Sequence, residues 1–150
     1  MYKEYSWKTK WTVKGLDANK VGQELEKINE ITAENVLKYA KAHTKSEIYK
    51  AFEWDDAIAS ENWRKHQASI LITNISVIII EDEERKNAVP IRAFVQPTTQ
   101  RVYEPIEVVI QDVNKYQQLL EKAYKELNTT KNKYQELEEI QELLKDIPQY

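Results

Sequence analysis

The chain has 150 residues, 41% hydrophobic and 31% charged, with 22 basic against 25 acidic side chains and a net charge of -3. It has no Cys, which excludes a disulfide framework, Cys-ligated zinc, iron–sulfur clusters and thiol chemistry. Only 2 Gly and 4 Pro leave few positions for turns, so one helix-rich domain is expected, with a charge balance unsuited to gripping nucleic acid over its whole surface.

Residues 1–50 carry 10 Lys against 7 acidic groups, whereas each later third is acidic. The first element alternates. Tyr5, Trp7, Trp11 and Val13 share one face of an extended chain, and Lys8, Lys10 and Lys14 the other, which predicts a strand over 5–13 ended by Gly15 and Asp17. Val21, Leu25 and Ile28 then predict a helix over 18–30. Thr32 should cap a second, burying Val36, Leu37 and Ala40, and Ser46 a third, short one through Phe52. Three short helices with tight connections suggest a helix-turn-helix core.

In the string Phe52-Glu53-Trp54-Asp55-Asp56, either Asp55 or Asp56 is expected to cap a helix running to Thr73. The acidic residues also suit a metal or partner site, against the plainer reading of a capped helix flanked by buried aromatics. A hairpin follows, pairing Ile75–Ile80 with Val89–Val95 across the charged loop 81–87, and Pro90 marks its second strand as an edge. Helices followed by a hairpin also describe a winged helix.

After a linker around Pro97 and Pro105, Asp112 should cap a long helix. Its apolar positions Val113, Tyr116, Leu120, Ala123, Leu127, Tyr134 and Leu137, with Thr130 in one slot, alternate by three and four as in a coiled coil. The phase then shifts to Ile140, Leu144 and Ile147. Tyr in the seam favours packing on a globular body, or a splayed or antiparallel pair, over a regular parallel zipper. The expected division is a globular part over 1–100, a linker over 101–111 and the helix over 112–147.

Little in the chain suggests catalysis. His43 and His66 sit in different predicted helices, and two histidines without Cys make a poor zinc site. Two glycines cannot build a phosphate loop, a dinucleotide fingerprint or a nucleophile elbow. No catalytic residue, metal or cofactor is expected. No apolar run reaches the roughly 20 residues that cross a bilayer, and Met1–Lys20 lacks the apolar block of a signal peptide, so no membrane partner and a cytoplasmic location are expected.

At Phe52–Asp56 the chain resembles a family of small uncharacterised phage and prophage proteins. The shared order is an early helix, a Thr-capped helix (Ile31-Thr32-Ala33-Glu34-Asn35-Val36), the Phe-Glu-Trp-Asp-Asp block, an Ala- and Arg-bearing helix, a hairpin and a long last helix. The family pattern is richer in Arg near Gln67, where this chain has Ala68 and Ser69. The resemblance implies an accessory role inside a bacterial host and brings no activity with it.

The expected fold is α+β: short N-terminal helices in a winged-helix-like order, a small antiparallel sheet and a long C-terminal coiled-coil-type helix. The favoured function is a non-enzymatic DNA-binding accessory protein. Lys8, Lys10, Lys41, Lys45 and Lys50 would contact phosphates of duplex DNA, with the Ser46–Phe52 helix in a groove. The rival is a module that binds a host or phage protein, with Glu53, Trp54, Asp55 and Asp56 as its contact residues. A structural virion component is a third class. Self-association into a homo-oligomer is assigned to Tyr116, Leu120, Leu127, Tyr134 and Leu137.

Overall fold

The computed structural model describes residues 2–8, 13, 15–80, 89–98 and 100–149. Strand β2 (Ile75–Ile80) lies between β1 (Tyr2–Trp7) and β3 (Ile91–Arg92) and is antiparallel to both. Successive residues Ile75, Ser76 and Val77 are all buried, so both faces of β2 are covered there, which accounts for its nearly unbroken apolar run. Partner β1 sits earlier than 5–13, in a register that sets Tyr5 against Val77 and Trp7 against Ile75. The alternation still holds: Tyr5 is buried, and the Trp7 indole N–H donates to the Leu16 carbonyl at 2.8 Å. Trp11, Lys10 and Lys14 lie outside the described residues. So does the 81–87 loop, while β3 forms the edge expected from Pro90.

Between β1 and β2 run the helices. Asp17 caps α1 (Ala18–Glu26) by accepting from the Asn19 and Lys20 amides. This helix stops short of residue 30 because the Lys27 and Ile28 amides tighten onto the carbonyls of Glu24 and Leu25. As expected, Thr32 caps α2 (Ala33–Ala42), which buries Val36, Leu37 and Ala40. The third helix is not formed. Ser46 does accept from the Tyr49 amide, yet only a 3-10 turn, Ile48–Ala51, follows. The Glu24 carboxylate of α1 takes the Glu47 and Ile48 amides at 3.0 and 2.9 Å, and Phe52 is already extended, so the segment closes after one turn. Glu47 in return accepts from the Asp17 amide at 3.1 Å.

Helix α3 (Glu61–Thr73) is capped by Ser60, which corrects the start expected at Asp55 or Asp56. Asp55 instead makes its own turn, its side chain accepting from Ala57 and its carbonyl from Ile58 and Ala59. The inner face of α3 buries Arg64, Ala68, Leu71 and Ile72, whereas Ala57 and Trp63 are exposed. Tyr5, Leu25, Leu37, Ile48, Leu71 and Phe94 belong to one core in which sheet and helices meet.

The expected linker is structured. Strand β4 (Phe94–Val95) pairs with β5 (Glu104–Pro105), and the Tyr103 amide donates to the Ile31 carbonyl at 2.8 Å. Helix α4 (Ile106–Gln111) then drives Val109 into full burial. Asp112 caps α5 (Val113–Lys133), as its sequence suggested. The long helix does not continue to residue 147: it ends at Lys133, and a turn leads into α6 (Glu138–Leu143). The Gln141 amide donates to both the Lys131 and Tyr134 carbonyls at 2.9 Å, and Asn128 donates to the Pro148 carbonyl, so α6 folds back along α5. The class is α+β, with six helices, two small antiparallel sheets and α5 as the longest element among the described residues.

Two substitutions check this packing. A Cβ at Gly22 would collide with the ring of Tyr5, so the usual gain of about 1 kcal/mol for Ala over Gly in a helix is reversed. Gly22→Ala should destabilise by about 1–2 kcal/mol in urea, and be neutral or stabilising once Tyr5→Ala has made room. The Asp17 amide, then Lys50, hold the Glu47 carboxyl below its ordinary value of 4.5. A depressed carboxylate stabilises fully above its unfolded value, and that stability is lost as pH falls through the native one. Glu47→Gln should therefore be less stable than wild type near neutrality, with the gap closing at low pH in urea titrations.

Candidate interaction site

Three groups of residues were marked by the sequence, and the structure treats them differently. Among the proposed phosphate contacts, Lys41 is bound to Glu61 of α3 at 3.1 Å and Lys50 to Glu47 at 3.0 Å. Lys8 is half-buried at the end of β1, its amide bonded to the Asn74 carbonyl, and Lys45 is exposed in the turn after α2. Lys10 lies outside the described residues. Two of these ammonium groups are thus already matched by carboxylates, and the element meant to enter a groove is a 3-10 turn with Ile48 and Ala51 buried.

The Phe52–Asp56 block is an internal clamp. Arg64 projects from α3 and is only 6% exposed. Its Nε donates to the Glu53 carbonyl at 2.8 Å, its terminal nitrogen pairs with Asp56, and the guanidinium lies 5.5 Å over the Trp54 ring. Trp54 donates to the Tyr49 carbonyl at 2.9 Å and stacks on the Tyr49 ring at 4.6 Å. The Glu53 amide is taken by Gln67, and the Glu53 carboxylate by the Asp55 amide. Planarity and a fork of donors let Arg64 bond the carbonyl and the carboxylate while its flat guanidinium packs on the indole, a geometry the compact ammonium of Lys does not reproduce. The four residues assigned to a partner are engaged within the fold, and among the described residues no group of three potential ligands converges on a metal position. The two histidines stay local: His43 stacks on Tyr39, and His66 tilts over Trp63.

The third group differs. No side chain of α5 is buried among the described residues, although the helix runs 21 residues. It is held by polar contacts on one side, where Lys115 pairs with Glu104 and Lys122 donates to the Gln96 carbonyl at 3.2 Å. The Glu104 carboxylate raises the Lys115 ammonium above its ordinary value. An open cleft of about 410 Å³ separates Gln96–Thr98 from Gln118 and Lys122. Opposite, Val113 is 75% exposed, Tyr116 44% and Leu127 39%, while Leu120 and Ala123 are half-buried. Tyr134 and Leu137 fall in the turn after α5, both more than one-third exposed.

Val108 and Ile110 of α4 are also exposed; the linker reading missed them. Pro105 followed by an apolar run with Glu107 is a helix-start signature that could have exposed this segment. Glu107 joins Glu26 in holding Lys3 of β1, and these two carboxylates raise the ammonium against the opposing effect of its burial.

Compared with known proteins, the chain matches no family model, no curated protein and no solved structure. No helix among the described residues is long and apolar enough to cross a membrane.

The clamp has a measurable asymmetry. Arg64→Lys should cost about 2 kcal/mol in urea unfolding followed by Trp fluorescence, because a buried donor set is lost. Asp56→Asn should cost under about 1 kcal/mol, since that carboxylate is largely in water.

Proposed function

We propose that this protein is a non-enzymatic protein-interaction module that self-associates through its C-terminal helix. One observation carries the reading: α5 presents apolar residues at alternating three- and four-residue spacing, of which Val113, Tyr116 and Leu127 stay exposed, Leu120 and Ala123 are half-buried and none is fully buried. A helix of this length in water gains its stability mainly from an apolar stripe packed on something else. The phage or prophage setting implied by the Phe52–Asp56 block suits an accessory protein that works by contact rather than by turnover.

The geometry supports this reading over duplex-DNA binding. Groove entry needs a helix with free donors, and the segment assigned to that task is a short turn anchored by Glu24. Lys41 and Lys50 have carboxylate partners, which lowers what each would gain by releasing phosphate counterions.

Light scattering at tens of micromolar should give twice the 17.8 kDa chain mass. The double variant Tyr116→Glu with Leu127→Glu should run as one chain while keeping its circular dichroism, because both positions are surface-exposed. Duplex DNA should not be retarded at low salt. Retardation that weakens steeply as salt rises, by a protein of single-chain mass, would overturn the reading in favour of DNA.

A further inference from the structure

We infer that residues 134–137 are a hinge, about which the α6 segment exchanges between its folded-back position and a continuous helix running from α5 to Ile147. The inference concerns a single chain and does not depend on self-association.

The break between α5 and α6 has no local cause in the sequence. No Gly or Pro stands between Pro105 and Pro148, and three of the four hinge residues, Gln135, Glu136 and Leu137, are strong helix formers. Nor is a new start prepared. Helices α1, α2, α3 and α5 each open on a capping side chain, whereas α6 follows Leu137, which makes no side-chain cap.

One side chain does most of the holding. In a continuous helix the Lys131 and Tyr134 carbonyls accept from the amides four residues on, those of Gln135 and Glu138. In the folded-back form the Gln141 side-chain amide donates to both carbonyls at 2.9 Å. It thus competes with the backbone for the same acceptors. Among the described residues the Gln135 and Glu136 amides have no backbone acceptor in this form. Asn128 adds a second anchor by donating to the Pro148 carbonyl at 2.7 Å.

Apolar burial does not settle the balance. No residue of α6 is buried, and Leu143 is 77% exposed. Ile140, Leu144 and Ile147 are half-buried, at helical spacing along the side that carries Gln141. Straightening uncovers these three and regains the backbone bonds of the hinge, so the two changes oppose each other. The segment is therefore a strap: closed, it partly covers the 140–147 stripe, and open, it presents that stripe on a helix extended past Lys133.

The absence of native Cys lets spin labels be placed at two chosen positions. Glu126→Cys and Asp146→Cys are both at exposed sites. Folded back, each lies two residues from the Asn128–Pro148 bond, which keeps them within about 20 Å of each other. In a continuous helix the same sites stand roughly 30 Å apart. Pulsed electron–electron distances are read with labelled chain diluted in unlabelled chain, so that only pairs within one chain count. The short distance should predominate in the otherwise native chain. Adding Asn128→Ala and Gln141→Ala should raise the ratio of long to short distances at least tenfold, with a narrow long peak and increased helical circular dichroism. Glu136→Gly in that background should lower the ratio again, since Gly disfavours a helix interior. A short distance that persists in the Asn128→Ala, Gln141→Ala chain overturns the inference. So does a broad distribution with lost helicity, which means a strap released as coil. All four Trp lie outside α5 and α6, so unchanged Trp fluorescence confirms that the rest of the fold is intact.

Discussion

The pairing of β1 with β2 is the constraint on which the rest of the molecule hangs. It joins residues about seventy positions apart, and closing so long a loop costs entropy that only native contacts offset. Everything between the strands, α1 through α3, is thereby confined to the space over the sheet. Tyr5 shows how local the consequences are. Its amide donates to Asn19 at the start of α1, its ring lies against Gly22, and it stacks with Phe94 at 6.2 Å. One aromatic residue on the edge strand thus fixes the first helix and the β4 segment together. A small side chain there would release both.

Around this centre, polar groups do the locating that apolar burial cannot. Burial fixes which face of a helix turns inward and leaves its sliding and its ends loosely set. Glu24 and Glu47 settle the ends of α1 and of the 3-10 turn by exchanging carboxylate bonds across to each other's backbone. Arg64 does the same for the extended stretch before α3, tying it to the helix through a carbonyl, a carboxylate and an indole face. Lys3 links β1 to the ends of α1 and α4 through two carboxylates. Such cross-links suit a chain with 31% charged residues, which has charge to spare and little glycine with which to shape loops.

What the sequence made legible follows the range of the force involved. Caps and periodicity act over three or four residues, so Thr32 and Asp112 were readable, as were the buried stripe of α2 and the edge position marked by Pro90. The misplaced features depend on partners far along the chain. Ser46 signals a helix start, but the carboxylate that limits it to one turn comes from Glu24. Asp55 and Ser60 are both good caps, and which one opens α3 depends on Arg64 pulling the Glu53–Asp56 backbone aside. Residues 101–111 look like a linker because their pairing partners, Ile31 and Phe94–Val95, are distant. In the candidate site, the seam spacing was visible from the start. Its end at Lys133 depends on the Gln141 amide, which no periodicity reports.

The two halves of the chain illustrate different ways to stabilise a helix. Helices α1 to α3 each bury an apolar face against the sheet or one another, and their caps only trim them. Helix α5 reverses that order: Asp112 closes its start, Gln141 closes its end, Lys115 and Lys122 pin it laterally, and its apolar residues are left half-buried or exposed. One partly exposed ion pair and one hydrogen bond to a carbonyl contribute little each. They are enough to aim the helix and too weak to substitute for packing. A helix built this way is oriented first and stabilised second, so the surface it offers is already in place when another apolar surface arrives. Little ordering entropy is then left to oppose association, which is the physical advantage of holding the seam rigid on a folded body rather than leaving it as a disordered tail.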